Sequence, residues 1–123
     1  MISVLFLGLE ALESHESRLK AINLIAGIND VLQQYIPGQV GRFDDSFNIN
    51  CIGDTFQYLG VPTVLFEAGH FPNDYQREGT RKYVFMALVS SFTILSENDI
   101  VSNGINKYLN ISQNKVVFYD LMY

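Results

Sequence analysis

Residues 59 to 85 read LGVPTVLFEAGHFPNDYQREGTRKYVF, and how this stretch is parsed decides the fold. Val61 to Glu67 has strand character: it is apolar and rich in β-branched residues, and Pro62 is tolerated near its start. The run ends on one carboxylate, Glu67. An ionised carboxylate in apolar surroundings is costly, or else it takes up a proton. Glu67 is therefore exposed at the strand end, paired with Arg42, Arg77 or Arg81, or present for chemistry. Just beyond, Asn73 with Gln76 three residues later forms a capping-box-like pair, which predicts a helix from there to about Leu95. Its segment YVFMALV (83–89) is apolar on every side and predicts a helix buried all round.

Working outward, Ile2 to Leu7 is a continuous apolar run and reads as a buried strand. The opening MISVLFLGLE has no basic start and its apolar run stops at Glu10, so it reads as a strand and not as a signal peptide. From Ser14 or Ser17 to Tyr35 the period becomes helical. Ala21, Ile25, Ile28, Leu32 and Tyr35 share one stripe, and Pro37-Gly38 ends it. PGQVGRFDDSFN (37–48) is a loop by composition. A short helix is expected from Asn50 to Tyr58, with Gly60 as its stop signal. A weaker helix runs from Ser96 through Ile100, Ile105 and Leu109, and KVVFYDLMY (115–123) reads as a last short strand. Strands alternating with helices predict an α/β fold. Two confident strands and a helix apolar on all sides are an unbalanced set for 123 residues, because too little chain remains to bury that helix.

Composition narrows the function. Hydrophobic residues make up 48% and charged residues 17%, as in a chain with a real core and unlike a disordered one. The net charge of −5, with no Lys/Arg cluster, argues against nucleic acid and against membrane attachment through a basic face. No run approaches the roughly 18 apolar residues of a spanning helix, and a cytoplasmic location is expected. The single cysteine, Cys51, excludes an internal disulfide and a multi-thiolate zinc site. Lying among Ile49, Ile52 and Phe56, it is expected to be a buried structural thiol.

LGVPTVLFEAG resembles the strand of M14-type zinc carboxypeptidases that ends in the catalytic glutamate. GRFDDSFN (41–48) is similar to the glycine-x-x-aspartate loop of that family's specificity pocket. The helix from Asp74 to Leu95 matches the one that closes its catalytic domain. The resemblance spans residues 2 to about 95. It implies an incomplete three-layer mixed sheet with helices, the C-terminal half of such a domain, over residues 1–96, with residues 97–123 a helix-and-strand extension. It implies that Glu67 is the general base and acid, taking a proton from a zinc-bound water and delivering it to the leaving amine. Arg42, Asp44 and Asp45 would line the substrate side, favouring a basic side chain, and Tyr35 would lie near the tyrosine that covers the substrate.

The ligand set is where the sequence departs from the family. M14 enzymes hold zinc through His-x-x-Glu and a second histidine, and this chain has only His15 and His70, neither in such a motif. His15, among polar residues, is expected in solvent, and His70 is expected to orient a neighbour or face solvent. Asp44, Asp45, Glu67 and His70 could form a metal cluster, yet acidic pairs in glycine-rich loops more often form turns. No metal ligand is assigned and no cofactor is expected in this chain, although the full-length family uses zinc. The expected product is a truncated, inactive carboxypeptidase-like protein that self-associates or is complemented by an N-terminal half. The competing reading is a non-enzymatic self-associating module whose unpaired strand edges recruit another chain.

Overall fold

The computed structural model describes residues 2–5, 15–42, 48–98 and 100–113. In chain order these form β1 (Ile2–Leu5), α1 (His15–Leu32), β2 (Val40–Arg42), α2 (Ile52–Tyr58), β3 (Leu65–Glu67), α3 (Glu78–Ser96), α4 (Ile105–Leu109) and β4 (Ser112–Gln113). The strands make one mixed sheet in the order β3-β1-β2-β4. β1 runs parallel to β2 through a crossover that contains α1, β2 runs parallel to β4, and β3 lies antiparallel to β1. The chain is thus mixed α/β, as the alternation of elements predicts. The expected strand over 115–123 lies outside the described residues.

α1 is the centre of the core. Ala21, Ile22, Ile25, Ala26, Ile28 and Leu32 are all at most 5% exposed, so the apolar stripe read from the sequence is the buried one. Tyr35, the expected end of that stripe, is instead exposed. The helix stops at Leu32, and the chain turns through Gly38 at φ +74°, where the Gly38 N–H donates to Gln33 Oε1 at 2.9 Å. A left-handed turn of this kind suits glycine, which has no Cβ to clash. The tightened turn brings Ile36 into the core in place of Tyr35, with its N–H bonded to the Leu32 carbonyl at 2.8 Å.

Two close approaches clamp the neighbouring helices onto α1. A Cβ on Gly27 would stand 3.1 Å from Ile94 Cδ1 of α3. At Gly104, the residue before α4, a Cβ would come within 2.8 Å of Asn23 Oδ1, which accepts the Gly104 N–H at 2.8 Å. Tyr108 and Ile111 then complete the apolar cluster around Ile28, Leu32 and Val40. Lys107 of α4 pairs with Asp30 of α1 at 2.6 Å on the surface.

Several sequence expectations are corrected: the 37–48 stretch read as loop contains β2, the strand read over Val61–Glu67 is confined to Leu65–Glu67, and the helix read from Ser96 through Leu109 is confined to Ile105–Leu109. α3 begins at Glu78, not near Asn73, because Asn73 and Arg77 both adopt left-handed backbone (φ 58° each) and the intervening residues form turns. α3 is not buried all round: Thr80, Ala87 and Ser91 face the core, while Phe85, Leu88, Val89, Phe92 and Leu95 are exposed. α1 packs along one side of it. Cys51 is exposed, as are Ile49, Ile52 and Phe56 around it. The apolar neighbours that suggested burial are themselves on the surface.

Candidate functional site

Glu67 is the last residue of β3, is exposed, and sits opposite Ser3 of β1, itself level with Gly41 of β2. One row of the sheet therefore runs Glu67, Ser3, Gly41, Ser112. Because β3 is antiparallel to its neighbour, Glu67 stands at the end of the sheet where β1 and β2 begin. Arg42 lies one row further on, about 3.3 Å along the strand and away from Glu67.

The three arginines available to neutralise Glu67 are engaged elsewhere. Arg42 Nε donates to the Ile111 carbonyl at 2.9 Å, and its guanidinium lies 5.3 Å from the centre of the Tyr108 ring. Arg77 Nη2 donates to the carbonyls of Ala68 (3.0 Å) and Gly69 (3.2 Å). Arg81 pairs with Glu78 on the first turn of α3. Glu67 takes part in none of the ion pairs among the described residues. Of the states the sequence left open, an ion pair with one of these arginines is not observed, and Glu67 stands exposed at the strand end.

The loop between Glu67 and α3 is organised by Asp74, which sequence reasoning passed over, and by Arg77, which it offered only as a partner for Glu67. Asp74 accepts the N–H groups of Gly79 (2.9 Å) and Thr80 (2.7 Å) and the Thr80 hydroxyl (2.8 Å). It thus caps α3 from five and six residues away, satisfying donors that the first turn cannot. The Thr80 N–H holds the Asp74 carboxyl below its ordinary range, opposed by partial burial and assisted by the Gly79 N–H, the Thr80 hydroxyl and Arg77. The available signal was an acid followed at that distance by small Gly79 and polar Thr80. Arg77 adopts a left-handed conformation that costs a non-glycine residue about 1–2 kcal/mol. Its two bonds to the Ala68 and Gly69 carbonyls offset that cost and tie the start of α3 to the end of β3.

Beside this loop lies an open groove of about 290 Å³, lined chiefly by Ala68, Arg77, Arg81, Val84, Phe85 and Leu88. Glu67 does not line it. His70 is exposed. Tyr35 is exposed in the turn after α1, and Asp44 and Asp45 lie outside the described residues. Among the described residues no three His, Cys, Asp or Glu side chains come together as a metal site. Those residues do not fit a zinc ion. Among them, too, no helix is long and apolar enough to cross a membrane.

Comparison of the chain with family models, curated proteins and solved structures returns no match.

Proposed function

We propose that these residues are a metallocarboxypeptidase-like segment, corresponding to the C-terminal half of an M14-type catalytic domain, with Glu67 as its proton-transferring carboxylate. The observation that carries this reading is the position of Glu67: strand-terminal, exposed, and without a partner among Arg42, Arg77 and Arg81. A carboxylate left available at the end of an edge strand suits proton transfer better than structural pairing. Arg42, Asp44, Asp45 and Tyr35 belong to the substrate side in this reading. It requires the chain after Arg42 to turn back toward the Glu67 row.

The 123 residues contain no His-x-x-Glu pair, so the chain by itself is inactive as a peptidase. A complementing polypeptide has to bring the metal-binding residues. The test is zinc content after dialysis, together with release of C-terminal residues from peptides. Neither is expected above background. Stoichiometric zinc with cleavage abolished by Glu67→Gln would show that the chain is a complete enzyme. An experimental structure with residues 43–47 on the sheet face opposite Glu67 would remove the pocket altogether.

A second reading, a non-enzymatic self-associating module, is favoured by the exposed apolar side of α3. In that reading Glu67→Gln changes nothing measurable, and the function lies in the contact between chains.

A further inference from the structure

Residues 101–104, which lead into α4, read VSNG and hold the only Asn-Gly pair of the sequence, Asn103-Gly104. A glycine after asparagine has no Cβ to shield its backbone nitrogen, which can therefore reach the asparagine side-chain carbonyl. Asn103 is exposed and left-handed, at φ 60°. Asparagine tolerates that conformation better than most residues that carry a Cβ.

Packing, and not the turn, demands the glycine. Gly104 has ordinary helical backbone (φ −69°, ψ −4°), which any residue adopts. A Cβ there would stand 2.8 Å from Asn23 Oδ1, 3.0 Å from Ala26 Cβ and 3.1 Å from Asn23 Cα. The last two atoms belong to the frame of α1, which is packed in the core and has no room to swing aside. The close seat of α4 on α1 thus forces a glycine to follow Asn103, and with it a reactive pair. The same seat restrains the pair. Gly104 is buried, and its N–H donates to Asn23 Oδ1 at 2.8 Å. To attack, that nitrogen has to give up its proton to solvent base, and a buried, bonded N–H meets solvent only when the contact opens.

We propose that Asn103-Gly104 is a site of spontaneous deamidation whose rate is set by the hydrogen bond from Gly104 to Asn23. The Gly104 nitrogen bonds to Asn103 Cγ as the Cγ–Nδ2 bond breaks. Solvent takes the Gly104 proton and returns one to the departing amide, which leaves as ammonia. One water then opens the cyclic imide. Addition at Cγ gives aspartate, and addition at the Asn103 main-chain carbonyl leaves the chain running through the side chain. Either product adds a negative charge, and the second also lengthens the backbone by one carbon. Gly104 then loses either its bond to Asn23 or its seat on Ala26. Residues 104–113, with Tyr108, Ile111 and β4, lose their hold on α1. None of this depends on the reading of Glu67.

Peptide mapping by mass spectrometry of the full chain, aged in mildly alkaline buffer with and without urea, is the test. In urea Asn103 is expected to react before any other asparagine. In the folded chain it reacts at least about tenfold more slowly, since only opened molecules react. Asn23→Ala, held below its melting temperature as read by circular dichroism, speeds the folded-state reaction by about fivefold and opens the Gly104 amide to hydrogen exchange. Asn23→Asp keeps an acceptor oxygen and restores the slow rate. In the aged fraction with the longer backbone, exchange protection is lost over residues 105–113 and kept in α1. A folded chain that ages at Asn103 as fast as the unfolded one would overturn the proposal. So would an Asn23→Ala chain that ages at the wild-type rate, or an aged chain still protected over residues 105–113. Should Asn23→Ala fail to fold, the wild-type chain decides: a Gly104 amide that exchanges freely in the folded state sinks the idea.

Discussion

α1 and α3 are nearly equal in length, 18 and 19 residues, and both are rich in apolar side chains, yet they use them in opposite ways. α1 turns its isoleucines and Leu32 inward and keeps Glu16, Lys20 and Asp30 on the outside. α3 fully buries only Thr80, Ala87 and Ser91, packs Tyr83, Val84, Met86 and Ile94 against the core while partly exposed, and keeps its phenylalanines outside. The difference shows that apolar content by itself does not locate a core. α1 is held by what it fully buries, and α3 by a side-chain cap, a close helix contact and a partly buried apolar side.

The largest expected effect follows from that contrast. Leu32 is fully buried, so Leu32→Ala should cost about 2–5 kcal/mol through lost transfer energy and the cavity left behind. Phe92→Ala removes a larger side chain but should change the stability of the dilute monomer by no more than about 0.5 kcal/mol. Urea unfolding of both variants at low protein concentration checks the pair. Equal losses would mean that α3 buries its aromatic side after all.

A smaller effect concerns the cap. Asp74→Asn at neutral pH should lower the melting temperature by a few degrees, because a charged acceptor of three hydrogen bonds becomes a weaker, neutral one. Asp74 has a depressed folded-state pKa relative to 3.8. Its charge-linked stabilisation is therefore complete above that value and is lost as pH falls through the lower folded value. The gap between wild type and variant should close in acid, and melting curves across pH 2–7 on this linkage would show it. A gap that stays constant would mean that hydrogen-bond geometry alone carries the cap.

The smallest effect lies where α1 and α3 touch. Gly27→Ala gains up to about 1 kcal/mol in helix propensity, but the new methyl meets Ile94 Cδ1 at 3.1 Å. Ile94 Cδ1 is the end of a flexible side chain and can yield. A net change within about 1 kcal/mol of zero is expected in thermal unfolding. A loss well beyond that would show that the helix contact is too rigid to shift.

How much of this was legible follows from where each signal resides. The stripe through Ala21, Ile25, Ile28 and Leu32 is periodic along the chain, so α1 could be read directly, and so could a strand ending on Glu67. Tyr35 could not, because the turn at Gly38 hands its place to Ile36. The start of α3 was misread because Asn73 and Gln76 imitate a local capping box, whereas the cap in use reaches from Asp74 to residues 79 and 80. Cys51 was misplaced because apolar neighbours in sequence say nothing about which side of a short helix faces the core. At the candidate site, the strand-end position of Glu67 was readable. The engagement of Arg42 with Ile111 was not, being a contact between residues 69 apart.

The sheet also dictates an order of events during synthesis. None of its pairings is a hairpin between strands joined by a short turn: β1 waits for residues 40–41 and 65–67, and β2 waits for Ser112 and Gln113. At about 5–20 residues per second, the 60 residues from Leu5 to Leu65 take roughly 3–12 s to emerge. Throughout that interval the edge of the first strand that later pairs with β3 has backbone donors and acceptors with no ladder to join. α1, whose hydrogen bonds are local, forms in about a microsecond once it is made. The helix is therefore complete long before the sheet, and the strands assemble onto a finished α1. Pairings of such long range make folding slow. The nascent chain is most exposed to wrong partners between the appearance of β1 and that of β3.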